Sequence, residues 1–91
     1  MSLKFQAVVN LENDLAYYNM LIANYNVTLV EIRNLLIKLN NHPTDEQMAD
    51  LYNKLSKSQE DNLFLLKEIE NESTKLINDM KTLNKELRNN S

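Results

Sequence analysis

Apolar residues recur at alternating spacings of three and four over almost the whole chain, the repeat of helices that pack along one stripe. In the first half the series is Val8, Leu11, Leu15, Tyr18, Ile22, Tyr25, Leu29, Ile32, Leu36 and Leu39. With Val8, Leu15, Ile22, Leu29 and Leu36 taken as heptad position a, the others fall at d, and no polar residue interrupts the stripe. In the second half Met48, Tyr52, Leu55, Gln59, Asn62, Leu66, Ile69, Ser73, Leu76, Met80, Leu83 and Leu87 follow the same rule, with Met48, Leu55, Asn62, Ile69, Leu76 and Leu83 at d. Here Gln59, Asn62 and Ser73 bring polar groups into the stripe.

Asn40-Asn41-His42-Pro43-Thr44-Asp45 separates the two series. Pro43 disfavours helical geometry at His42. Thr44 and Gln47 have the spacing of a capping box, and Asp45 and Glu46 suit the positive end of a new helix. The pattern predicts one all-α domain over residues 1–91. It places a first helix at about 3–40, a turn at about 41–44, a second helix at about 45–88 and a short disordered C-terminus. So short a link makes an antiparallel hairpin. Folding at the proline predicts Leu36 near Met48, Leu29 near Leu55, Ile22 near Asn62, Leu15 near Ile69, and Tyr25 beside Gln59 in a shared hydrogen bond. Tyr25, Gln59, Asn62 and Ser73 are the candidate polar core residues that set this register.

The first helix carries more apolar surface than one partner covers. Beyond a and d it has a row at b (Val9, Ala16, Ala23, Val30 and Ile37) and a partial row at g (Ala7, Leu21 and Leu35). Charge divides the same way: residues 1–43 hold three acids and three bases, residues 44–91 ten acids and seven bases. The first helix therefore reads as the inner one and the second as the solvated one. Each exposed Leu, Ile or Val forgoes about 1.5–3 kcal/mol of burial. Completion to a four-helix bundle is expected, by dimerisation or by a helical partner. The candidate interface residues are Val9, Ala16, Ala23, Val30, Ile37, Leu21 and Leu35, with Tyr17 and Phe64 as a second contact surface because neither falls on a stripe.

A chain without glycine cannot supply the positive-φ positions that tight hairpin turns and phosphate-cradling loops require, so β-meanders, P-loops and dinucleotide folds are poor fits. Without cysteine there is no disulfide, thiolate nucleophile or thiolate zinc site. The net charge of −3, with no run of Lys or Arg, argues against nucleic acid as a partner. The longest uncharged stretch, Leu15 to Val30, is interrupted by Asn19, Asn24, Asn26 and Thr28, so no membrane insertion is expected. No signal peptide is evident, and a cytoplasmic location is the expectation.

His42 is the sole histidine and lies in the turn, which disfavours metal and nucleophilic sites. Glu60, Asp61, Glu68, Glu70 and Glu72 alternate with Lys57, Lys67 and Lys75 as on a solvated helix face. The residues thus point to a non-enzymatic interaction module with no cofactor and no small-molecule substrate, self-associating or joining another helical protein. A small acidic chaperone or immunity-type protein that sequesters a helical partner is the alternative. The layout with its Pro-Thr-Asp turn resembles, in architecture alone, coiled-coil chaperones and needle-type hairpins of bacterial secretion systems and coiled-coil segments of eukaryotic adaptor complexes.

Overall fold

A computed structural model describes residues 3–89 as two helices, α1 (Leu3–Asn40) and α2 (Asp45–Asn89), folded into a hairpin. The expected disordered tail falls largely on residues 90 and 91, outside the described residues, and Asn89 is still helical. A rise of about 1.5 Å per residue makes the 45-residue α2 about 67 Å long, and the molecule is a rod of 69 × 17 × 14 Å. Its radius of gyration is 20.3 Å, against about 12 Å for a compact domain of this length. Two helices side by side enclose no interior. Among the described residues the buried apolar side chains are Ala7, Leu21, Leu51 and Ile69, and the buried polar ones Thr28, Asn62 and Glu72.

The turn is built from residues that satisfy helix ends. The Asn41 N–H donates to the Lys38 carbonyl at 3.2 Å, tightening the last turn of α1. His42 then takes φ 56°, so the left-handed position is supplied by a histidine, contrary to the expectation from a glycine-free chain. Thr44 caps α2: its N–H donates to Gln47 Oε1 at 3.0 Å, and the Gln47 N–H donates to Thr44 Oγ1 at 3.2 Å. The Met48 N–H closes the first full turn on the Thr44 carbonyl at 2.8 Å. Left-handed geometry costs a residue with a Cβ about 1–2 kcal/mol, which glycine avoids at some cost in unfolded-state entropy. His42→Gly is therefore expected to stabilise the hairpin by about 0.5–1 kcal/mol, raising the thermal midpoint by several degrees. An unchanged or lower midpoint would show that the turn carries no such strain.

Along the helices, burial recurs one heptad row away from the predicted stripe. In α1 it follows Ala7, Leu11, Asp14, Tyr18, Leu21, Tyr25, Thr28, Ile32, Leu35 and Leu39, which are the d and g rows. In α2 it follows Leu51, Leu55, Ser58, Asn62, Leu65, Ile69, Glu72, Leu76, Asp79 and Leu83, again d and g. The register differs as well. Asn62 Nδ2 donates to Thr28 Oγ1 at 2.8 Å, and Lys75 Nζ lies 3.0 Å from Asp14 Oδ1. Asn62 thus meets Thr28 and not Ile22. Gln59 is exposed and is not the partner of Tyr25. The physical reason is polar satisfaction: a buried amide facing Ile22 would lack an acceptor, whereas the Thr28 hydroxyl accepts from Asn62 and donates to the Tyr25 carbonyl at 2.7 Å.

Candidate interaction face

Rotation of both helices onto d and g turns most of the a rows outward, with Val8, Ile22 and Ser73 still half-buried. Leu15, Leu29 and Leu36 of α1 are 49%, 43% and 51% exposed. Tyr52, Leu66, Met80 and Leu87 of α2 are exposed too, as are Leu63 and Ile77 in the adjoining row. In an antiparallel pair, rows of the same name lie on the same side, so these residues share one side of the rod. The two interhelical grooves reflect this. One is lined by Ile32, Leu36, Leu55, Ser56, Gln59 and Glu60, on the side of the a rows. The other is lined by Glu31, Asn34, Leu35, Lys38, Lys54, Lys57, Ser58 and Asp61, and is largely polar and charged.

The predicted interface residues divide between these surfaces. Ala16, Ala23, Val30 and Ile37 are exposed and Val9 is half-buried, and their b row is a second apolar row of α1, separated from the a row by Glu12, Asn19, Asn26 and Arg33. Leu21, only 4% exposed, and the half-buried Leu35 face α2 instead, because the g row has become part of the seam. Tyr17 and Phe64 are both exposed, but they share heptad rows with Glu31 and Lys38 and with Lys57 respectively, on the charged side. The structure therefore does not unite them with the apolar face. Of the expected polar core, Asn62 is buried, Tyr25 and Ser73 are half-buried and Gln59 is exposed.

Sequence reasoning did not place Asp14, Thr28, Glu72 and Asp79 in the seam. The partial apolar row Ala7, Leu21, Leu35 was the available signal, since Asp14 and Thr28 complete that same row. Toward the open end of the hairpin the seam is acidic. The side-chain oxygens buried without a conventional donor, among the described residues, are Glu72 Oε1 and Asp79 Oδ2. Asp79 faces Asp14. Its carboxyl is held above the usual value of 3.8 by its hydrogen bond with Asp14, then by burial and the Asp14 charge. Asp14 is held below that value by the same hydrogen bond and by Lys75. With Lys75 beside Asp14, Asp79 is the carboxyl of this pair that takes up a proton first as pH falls.

The two shifts act in opposite directions on stability. The Asp79 contribution is present below its unfolded pKa and is lost as pH rises through its raised folded value. The Asp14 contribution is present above its unfolded pKa and is lost as pH falls through its lowered one. At neutral pH the two ionised carboxylates repel. Asp79→Asn, which keeps a donor toward Asp14 at every pH, is expected to raise the thermal midpoint at pH 7 and to lose that advantage by about pH 3. A gap between variant and parent that does not change with pH would remove this account of the pair.

A cleft of about 630 Å³ lies at the turn between Lys38, Asn41, Pro43, Glu46, Gln47, Asp50 and Leu51. Among the described residues no cluster of three or more His, Cys, Asp or Glu side chains is arranged to hold a metal ion. No described helix is long and apolar enough to cross a membrane. No family model matches the chain, and comparisons with curated proteins and with solved structures found no match. The apolar side of the rod is the feature with the clearest chemical consequence.

Proposed function

We propose that the chain is a non-enzymatic interaction module whose exposed apolar side packs against further helices, completing a four-helix bundle. One observation carries this reading: Leu15, Leu29 and Leu36 of α1 and Tyr52, Leu66, Met80 and Leu87 of α2, all in the a rows, are exposed on the same side, while the seam between the helices contains Asp14, Thr28, Asn62, Glu72 and Asp79. A hairpin shaped only for its own stability would bury Leu15, Leu29 and Leu36 in preference to these. The accessible surface is 7020 Å², about 1500 Å² more than the roughly 5500 Å² of a compact 10.7 kDa monomer. Burying that side supplies the stabilisation that a two-helix rod lacks.

Sedimentation equilibrium and thermal melts followed by circular dichroism, over about a hundredfold range of concentration, test the reading. The expected result is a dimer whose midpoint rises with concentration. A monomer that melts at a fixed midpoint would overturn self-association. The acidic, imperfectly satisfied seam favours a second reading, in which the hairpin opens and a helical client replaces one of its contacts, as in a small acidic chaperone or immunity-type protein. That reading expects a loosely folded lone chain that gains helix only on addition of its client.

A further inference from the structure

Resting on that reading, we infer that the occupant of the apolar side is a second copy of this chain, with α1 lying antiparallel on α1 and a two-fold axis passing beside Ile22 and Ala23. Between the apolar a and b rows of α1 runs the exposed row Phe5, Glu12, Asn19, Asn26, Arg33 and Asn40, whose four central members are polar and include its two charges. Glu12 and Arg33 carry the only charges on this flank beyond the first turns of the helix. Asp14 is engaged by Lys75 in the seam, and Glu31 and Lys38 line the opposite groove. Neither Glu12 nor Arg33 has an ion-pair partner among the described residues.

The central four are their own complement when reversed, with Phe5 and Asn40 opposite each other at the ends. Read from the N-terminus they are Glu, Asn, Asn, Arg, and a second copy running the other way presents Arg, Asn, Asn, Glu. Glu12 then meets Arg33 of the second copy and Asn19 meets its Asn26, each twice, as two-fold symmetry requires. The same reversal sets Ala16 level with Leu29 of the second copy, Ala23 with its Ile22 and Leu15 with its Val30. Small side chains oppose large ones near the axis, which lets the backbones approach.

Over its whole surface the rod exposes about 1500 Å² more than a compact chain of its mass, a larger area than the roughly 800 Å² each partner contributes to a stable interface. The corresponding b row of α2, Asn53, Glu60, Lys67, Thr74, Lys81 and Arg88, is wholly polar, so the wider contact runs through α1. A partner of unrelated sequence would not require this row to complement itself.

Reversing one charge at a time provides the test. Glu12→Arg and Arg33→Glu each set like charges together at both ends of the contact. Each alone is expected to dimerise about tenfold or more weakly than the parent. An equimolar mixture of the two restores both opposite-charge pairs and is expected to form the heterodimer with parental affinity, as is the double variant with itself. Both positions are exposed in the hairpin, so the helices persist. In this cysteine-free chain Ile22→Cys is expected to oxidise to a dimer across the axis, whereas Leu36→Cys, far from it, is not. Charge reversals that leave the dimer unchanged, with no preference in the mixture, would overturn this register and leave the interaction reading standing. A parent that stays monomeric at every concentration would overturn self-association and the register together.

Discussion

Leu29→Glu is expected to abolish self-association, reducing dimer affinity by about 10⁴-fold. Leu29 is 43% exposed in the lone hairpin and lies on the a row, flanked along α1 by Ile22 and Leu36 and across the b row by Val30. In a two-fold assembly each substitution acts twice. Every copy loses the burial of one leucine, about 1.5–3 kcal/mol, and must also desolvate a carboxylate whose nearest cation, Arg33 one turn on, is drawn away from Glu12 of the second copy if it pairs. About 3 kcal/mol per copy is a conservative total, and about 6 kcal/mol per dimer corresponds to the stated loss. Because folding and association are linked, the melting midpoint should fall and cease to depend on protein concentration. Lys57→Glu, on the charged side, is the control and should leave the midpoint's concentration dependence intact. If Leu29→Glu melts with the parent's concentration dependence, the a rows do not form the interface.

Thr28→Val should destabilise the hairpin by about 2 kcal/mol although its shape is unchanged. Thr28 and Asn62 are both buried, at 9% and 7% exposure, and Asn62 Nδ2 donates to Thr28 Oγ1. Removing the hydroxyl leaves a buried amide donor without an acceptor, a loss of about 1–3 kcal/mol, or a fall in midpoint of about 10 °C for a chain of this length. Replacing both partners, Thr28→Val with Asn62→Leu, removes the unsatisfied group and should recover most of the loss. The recovered variant would lack the bond that fixes register, and should show broader amide signals or mixed pairings by NMR. Additive losses in the double variant would mean that Thr28 and Asn62 are not coupled.

Much of the fold is legible because it depends on local signals. The heptad repeats, the Pro43 break and the Thr44 to Gln47 spacing are each short-range, and the helices Leu3–Asn40 and Asp45–Asn89 start and stop close to where these signals lie. The seam was less legible. Three adjacent rows of α1 carry apolar residues, d throughout, a throughout and g in part, so any neighbouring two satisfy the period. Hydrophobicity ranks a and d first. The structure selects d and g, where Thr28 can meet Asn62 and Lys75 can meet Asp14. Leu21 and Leu35 consequently move from the expected free face into the seam, while Ala16, Ala23, Val30 and Ile37 remain outside.

The sequence by itself determined that this protein is a hairpin of two long helices joined by a capped turn, and that α1 carries more apolar surface than α2 can cover. These follow from periodicity and from end-satisfying residues, which act over a few positions. Only the tertiary structure decided which rows face inward and which residues stand opposite one another. Rotating a helix by one row changes little in the apolar count but exchanges every cross-helix partner, so the choice rests with the few buried polar groups that must find one another across the seam.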